Sequence, residues 1–185
     1  MPAIILSRSV EPRKGHAQAL AACEILWQQN QPVNLIIVGK QGWMIDELAE
    51  RLQNHPQNGR HLHWFQGISD ELLVELYHAA SALLAASEGE GFGLPLIEAA
   101  QHQLPIIARD LPVFMEVAGP HAYYFSGNSP QALADALLSW QALKAAGQAP
   151  ASIDMPWLTW KQSTQQLLRV LIEQHGCRQV SIKNL

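Results

Sequence analysis

The sequence predicts a Rossmann-like α/β domain, a doubly wound parallel sheet of about six strands. Two observations support this prediction. Short, continuously apolar runs alternate with helical segments six times along the 185 residues, an order that is typical of parallel sheets. The runs also lack the alternation of polar and apolar residues that half-exposed strands show, and this disfavours a sandwich or a barrel.

In the first half of the chain, each apolar run is followed by a helical pattern. Gly39 ends the second run where a sharp turn from strand to helix is expected. Ser69 is a good N-cap for the third helix. We expect strands at 3–7, 34–39 and 62–67, and helices at 15–29, 43–52 and about 69–80.

The second half continues the same alternation. Ser129 and Pro130 place a cap and a first-turn proline at the start of one helix, and Gly119 ends a shorter one. A stretch rich in Ala and Pro, 147–156, precedes the last amphipathic segment. We expect strands at 82–86, 105–108 and 122–125, and helices at 113–117, 129–146 and about 158–175. A further helix is expected after the fourth strand, with an apolar face formed by Leu96, Ile97, Ala99 and Ala100.

Composition excludes several classes of protein. With 48% hydrophobic and 15% charged residues the chain is globular, and a net charge of −4 argues against a nucleic-acid surface. Cys23 and Cys177 are too far apart in the sequence to indicate a disulfide framework or a zinc site, so we expect a cytoplasmic protein. No apolar run is long enough to predict a transmembrane helix.

The first predicted strand begins at Ala3, only two residues into the chain. We expect a chain cut from a longer protein, because a whole enzyme rarely opens inside a core strand. A small natural domain whose first strand starts early is the alternative.

The strongest functional signal is the glycine-rich stretch 87–99, which joins the fourth strand to a helix. Open α/β sheets bind ligands at this end of their strands, and the free N–H groups of such a helix favour an anion. Gly91 and Gly93 would let the backbone approach a ligand. Two carboxylates, Glu90 and Glu98, frame the turn and could accept hydrogen bonds from hydroxyl groups. Together these features suit a sugar nucleotide.

Two further loops end at the same edge of the predicted sheet. Arg8, Arg13 and Lys14 cluster after the first strand, where arginine and lysine could bind phosphate oxygens. A solvated loop with Glu11 paired to a neighbour is the alternative. Gly67 follows the third strand and could receive a planar base, although an ordinary strand end by itself explains it better.

Other nucleotide-binding motifs do not fit. The glycines at 89, 91 and 93 give GxGxG rather than GxGxxG, and they follow the fourth strand instead of the first, which disfavours a nicotinamide-dependent dehydrogenase. No GK[ST] sequence occurs, so a P-loop is excluded. The eight histidines show no spacing of metal ligands, and we expect them to be surface or packing residues.

The chain resembles the C-terminal, donor-binding domain of group 1 glycosyltransferases, the retaining family 4 enzymes with a GT-B fold. The resemblance covers essentially the whole chain. Its most specific element is the EX7E motif, Glu90 and Glu98 within EGFGLPLIEA. The basic pair of the family matches Arg8 and Lys14, although many relatives have a glycine in place of Ser7.

The resemblance implies a role for each motif residue. Arg8 and Lys14 would bind the donor diphosphate and stabilise the departing nucleoside diphosphate, and Glu90 would contact the donor sugar. Glu98 would bind the ribose hydroxyls. Backbone amides of the glycine-rich turn and the residue after it would lie against the donor: Gly91, Phe92, Gly93 and Leu94.

The resemblance also implies partners and a reaction. We expect a nucleoside-diphosphate sugar as donor, GDP-mannose or a UDP-hexose, a glycan or lipid-linked acceptor, and no metal or other cofactor. The product would be a bacterial polysaccharide or lipopolysaccharide. An N-terminal GT-B domain carrying the acceptor site is missing from this chain, and the helix at 157–175 would pack toward it. The full-length enzyme would be cytoplasmic and peripheral at the inner membrane. A non-catalytic sugar-nucleotide-binding or partner-docking module is the alternative.

Overall fold

The computed structural model describes residues 1–7 and 9–173. The chain divides into a compact unit, Met1–Met155, and a second unit that begins at Pro156. Among the described residues, no helix is long and apolar enough to cross a membrane.

The compact unit is built on a parallel sheet of six strands, in the order β3-β2-β1-β4-β5-β6. The chain therefore returns from the edge strand β3 to the centre and continues outward from β4. This reversal between β1 and β4 is the position where doubly wound sheets bind ligands. The strands are β1 Ala3–Ser7, β2 Asn34–Val38, β3 Leu62–Phe65, β4 Ala82–Ala85, β5 Ile106–Arg109 and β6 Ala122–Phe125.

Helices follow the strands as the sequence predicts, and the fold class is confirmed. Ser69 and Ser129 each cap a helix by accepting a hydrogen bond from a backbone N–H. The α-helices are α1 His16–Gln28, α2 Asp46–Gln53, α3 Asp70–Ala79, α4 Leu94–Gln101, α5 Pro112–Ala118, α6 Pro130–Ala145 and, in the second unit, α7 Trp160–Glu173.

The sheet separates two apolar clusters. Leu20 of α1 and Trp140 of α6 belong to one cluster, whereas Leu96 of α4 and Phe114 of α5 belong to the other. All four side chains are buried. Because both faces of the sheet are covered, its strands are apolar throughout, which explains why the sequence shows no alternation.

The start of α2 differs from the prediction. The helix predicted from residue 43 begins only at Asp46. The loop before it is hydrogen-bonded to the loop that follows β1. Val10 forms a bridge with Gln41, and the backbone N–H of Gly42 donates to the Val10 carbonyl at 2.9 Å. Met44 adopts a left-handed φ of 50°, which is not helical. These long-range bonds override the local helical pattern.

The last helix, α7, is two residues shorter at its start than the segment predicted from residue 158. Residues 174 and 175, with which that prediction ended, lie outside the described residues. Packing of this helix toward a further domain stays a prediction.

Candidate active site

Lys14 and Glu90, which are 76 residues apart, form an ion pair at the point where the strand order reverses. Lys14 ends a short 3-10 turn, Pro12–Lys14, between β1 and α1, and Glu90 lies in the loop between β4 and α4. Both side chains are only slightly exposed, 13% for Lys14 and 11% for Glu90. Two residues predicted separately from two loops thus meet in one site.

The two loops approach closely because residue 15 is a glycine. Gly15 has a φ of +75°, and a Cβ at this position would lie 2.2 Å from the Ala86 carbonyl oxygen. Farther along, the backbone N–H of Glu88 donates to the Arg13 carbonyl at 2.8 Å. A side chain at position 15 would therefore separate the loops that carry Lys14 and Glu90.

Glu90 has further partners on both loops. The Ser87 hydroxyl donates to its Oε1 at 3.0 Å, and Arg13 Nη1 lies 3.7 Å from its Oε2. The same arginine nitrogen donates to the Gly89 carbonyl at 3.0 Å. The carboxylate thus occupies a position between two cations, which an anionic ligand could also take.

Glu98 lies inside α4 and is joined to β1 through a tyrosine. Tyr77 of α3 is 2% exposed, and its hydroxyl lies 3.3 Å from Glu98 Oε2 and 2.9 Å from Ser7 Oγ. Ser7 is the last residue of β1, so this contact connects Glu98 with the strand that leads to the Lys14 turn.

The glycine-rich turn places its residues as the sequence predicts for a helix start. Gly93 caps α4 in a left-handed conformation, with φ of +91°, and a Cβ there would press against the Phe114 ring at 3.0 Å. Gly91 borders open space. Phe92 and Leu94 are exposed, at 55% and 38%, although both are apolar.

Two predicted site residues are not joined to this cluster by a described contact. Gly67 follows β3 and is exposed, with φ of +69° and nothing within 4 Å of the position that a Cβ would take. It lies two strands away from β1 in the sheet. Arg8 lies outside the described residues.

A cavity of about 20 Å³ is lined by both members of the ion pair, and it is large enough for one water molecule. Its polar walls come from Ser7, Lys14, His16, Ser87 and Glu90. Within the described residues, neither ring nitrogen of His16 has a protein hydrogen-bond partner, and the side chain is 2% exposed. Burial, with a smaller contribution from Lys14, lowers the pKa of His16 to about 4.

We predict that His16 makes the stability of this domain depend on pH between about 4 and 6.5. In this window the unfolded chain binds the proton that the buried ring does not, so stability is complete above the unfolded pKa and falls as the pH drops toward 4. Lowering the pH from 8 to 5 should therefore reduce the free energy of unfolding by about 2 kcal/mol through His16 alone. Urea unfolding of wild type and His16→Phe at both pH values measures it, and an equal loss in the two proteins would contradict the assignment.

The comparisons with known proteins agree with this geometry. The family described as "Glycosyl transferases group 1" matches residues 2–149, which include both halves of the Lys14–Glu90 pair. The chain belongs to the group 1 glycosyltransferases. The family resemblance that the EX7E motif indicates is thereby confirmed.

One sequence relative is the "Serotype-specific mannosyltransferase WbdA" of Escherichia coli, which is 55% identical over 170 residues. The match covers 92% of this chain but 21% of the relative, so the chain spans about a fifth of that protein's length.

Solved structures show the same fold. The C-terminal domain of the group 1 glycosyl transferase LpcC from Francisella tularensis superposes with a TM-score of 0.68 at 19% identity, covering 90% of this chain and 86% of that one. Anabaena Alr3699/HepE, in complex with UDP and glucose, gives 0.69 at 18% identity, covering 91% and 47%. The GT-B type of Rossmann-like domain predicted from the sequence is confirmed.

Sequence reasoning missed three residues of the site. Tyr77 reads as an ordinary helical residue, and its contact with Glu98 depends on how α3 and α4 pack. Ser87 stands three residues before Glu90, a spacing at which a hydroxyl can reach a following side chain, and this signal could have found it. His16 was expected to be a surface or packing residue, and no local pattern distinguishes it.

Proposed function

We propose that this chain is the donor-binding half of an enzyme that transfers a hexose from a nucleoside-diphosphate sugar, with GDP-mannose as the first candidate and a UDP-hexose as the second. The observation that supports this most directly is the pairing of Lys14 with Glu90 at the reversal of strand order. The mannosyltransferase name of the 55% identical relative supports the choice of sugar. The acceptor would be a growing polysaccharide or a lipid-linked glycan.

The donor diphosphate would bind against Lys14 and Arg13, two cations that Glu90 contacts in this structure. Diphosphate oxygens and the Glu90 carboxylate compete for the same N–H donors, so donor binding would release Glu90 from Lys14. The freed carboxylate could then accept hydrogen bonds from sugar hydroxyls. Arg8, at the end of β1, would add a third cation, as the family resemblance implies.

Glu98 would hold the ribose. Its Oε2 faces the buried Tyr77 hydroxyl, which keeps the carboxylate oriented on one side. The carboxylate is partly exposed, so ribose hydroxyls can reach it. Gly67 and the residue after it would border the base at the neighbouring loop.

Transfer would break the bond between the anomeric carbon and the phosphate oxygen, with the electron pair leaving on the diphosphate. Positive charge at Lys14 and Arg13 would stabilise this developing negative charge, and the amides at the start of α4 would contribute to it. We propose that the acceptor oxygen bonds to the same face of the sugar and gives up its proton to the leaving diphosphate, so that the configuration is retained, and that no metal is required.

The remaining parts of the reaction would come from an N-terminal domain. A cavity of about 20 Å³ cannot enclose a sugar nucleotide, for which sites of about 300 Å³ or more are usual. The donor would therefore lie on the open edge of the sheet until that domain closes over it and supplies the acceptor. We propose a cytoplasmic enzyme that acts at the inner membrane surface.

The test is a transfer assay with the intact transferase that carries this domain, in the presence of EDTA. We expect GDP release from GDP-mannose together with transfer of mannose to a glycan acceptor, and a retained anomeric configuration in the product. Parallel reactions with UDP-glucose decide between the two donor classes. Binding of both donors without any transfer would favour the non-catalytic module, and dependence on added metal would contradict the metal-free proposal.

A further inference from the structure

Arg109, the last residue of β5, is buried at 4% exposure beside the site but has no part in the proposed reaction. The predicted strand ended at Ala108, so sequence reasoning assigned this arginine no role. Its guanidinium lies 5.1 Å from the centroid of the Phe125 ring, which covers one face of it.

The guanidinium donates hydrogen bonds to three different segments at the edge of the sheet. Nε donates to the Ser87 carbonyl at 2.9 Å, and Nη2 donates to the Ala86 carbonyl at 2.9 Å. Nη1 donates to the Gly127 carbonyl and to Asn128 Oδ1, in the loop after β6. Nη2 also donates to the side chain of Gln18 on α1.

Gln18 closes the network from the other side. Its amide nitrogen donates to the carbonyls of Gly127 and Ser129, at 3.2 and 2.9 Å. Arg109 and Gln18 together therefore tie the end of β4, the start of α1 and the loop after β6 to one another.

Burying this cation is costly, because removing a charge from water costs several kcal/mol that other interactions have to offset. The hydrogen-bond acceptors are all neutral, and the negative charges of Glu88 and Asp110 offset the lost solvation only in part. Burial accordingly lowers the pKa of Arg109. A leucine or isoleucine would suit a strand end of this burial at lower cost, so the arginine needs a reason beyond packing.

The carbonyls that Arg109 holds belong to the segment that sets the Lys14–Glu90 pair. Ala86 packs against Gly15, the residue that directly follows Lys14. Ser87 donates its hydroxyl to Glu90. A shift of this segment would change the position of both charged side chains at once.

We propose that Arg109, with Gln18, is a positioning residue of the donor site: it fixes the Ala86–Ser87 segment and thereby the placement of Lys14 and Glu90 relative to each other. This inference rests on the proposed function, because it assigns Lys14 and Glu90 to the reaction. It extends that function to two residues that do not touch the donor.

The experiment measures kcat, donor KM and melting temperature of the intact transferase with GDP-mannose, for wild type, Arg109→Lys and Gln18→Met. Arg109→Lys keeps the charge but cannot reach all three segments, and Gln18→Met removes the second half of the network at similar volume. A misplacement of about 1 Å can reduce the rate about a hundredfold, so we expect kcat to fall about 10- to 100-fold in both variants. Donor KM should rise by a smaller factor than that by which kcat falls, because Glu98 and the ribose contact are unaffected.

Lys144→Met is the matched control. Lys144 Nζ donates to the Ser81 carbonyl at 3.1 Å, so it is also a cation bonded to a carbonyl beside β4, but at the opposite end of the strand. We expect a lower melting temperature with unchanged kcat, measured well below the melting transition.

Two results would overturn the inference. One is an unchanged kcat in the folded Gln18→Met protein, which also decides the question if Arg109→Lys does not fold. The other is an equal loss of kcat in Lys144→Met. A wild-type enzyme that transfers no sugar would instead contradict the proposed function, so the two failures are distinguishable.

Discussion

Gly15→Ala is expected to destabilise the domain by about 2–5 kcal/mol, since it combines two costs. An alanine at φ of +75° is strained, and its Cβ would lie 2.2 Å from the Ala86 carbonyl oxygen. A backbone atom cannot rotate away as a side chain can, so the loop of Lys14 has to separate from the loop of Glu90. Urea unfolding at neutral pH measures the loss, and donor binding should weaken in parallel.

Gly59→Ala is the control for this variant. Gly59 has nearly the same φ, +76°, but has nothing within 4 Å of its Cβ position. It should therefore lose only the backbone strain, about 1–2 kcal/mol. Equal destabilisation of the two variants would show that the close approach at Ala86 contributes nothing.

Lys14→Ala is expected to slow sugar transfer by the intact enzyme about 100- to 1000-fold, or about 2.7–4 kcal/mol in the barrier. The variant lacks the ammonium group that would stabilise the negative charge developing on the leaving diphosphate. Among the described residues, the substitution leaves Glu90 with Arg13 and Ser87 as its partners, so the carboxylate loses its nearest described cation. Steady-state kinetics with GDP-mannose measures the effect on kcat/KM.

Lys40→Ala is the control for charge. Lys40 is exposed and follows β2 at the same edge of the sheet, so its loss changes the net charge equally. We expect at most a small effect on kcat/KM, through weaker long-range attraction of the anionic donor. If the two lysine variants are slowed to the same extent, Lys14 acts through the general field and has no specific contact with the phosphates.

Most of the fold could be predicted from the sequence, because its local signals agree with its packing. The run Ala3–Ser7 is continuously apolar and forms a central strand buried on both faces. Ser129 followed by proline starts α6 where a cap and a fixed φ favour it. The start of α2 could not be predicted, since hydrogen bonds from Val10 hold the preceding loop. The strand order also depends on contacts that no local pattern records.

The candidate site could be predicted in part. Glu90 and Glu98 were found because their spacing belongs to a family motif, and Lys14 because basic residues cluster after a strand. The direct contact between Lys14 and Glu90 could not be predicted, since it depends on how closely Gly15 approaches Ala86. Arg109 follows an apolar run, a pattern that predicts the exposed end of a strand. In the structure it is buried, because it is hydrogen-bonded to three segments that are distant from it in the sequence.

The most direct test of a donor site at this edge of the sheet is calorimetric titration of the 185-residue chain with GDP and with UDP. The measurement compares wild type with Glu98→Ala and with Glu75→Ala, an exposed carboxylate on the same helix as Tyr77. We predict that wild type and Glu75→Ala bind at least one nucleotide equally well. Glu98→Ala should bind it about 10-fold or more weakly, because hydrogen bonds to a charged carboxylate are lost. Binding of neither nucleotide by wild type, or equal binding by Glu98→Ala, would contradict this account.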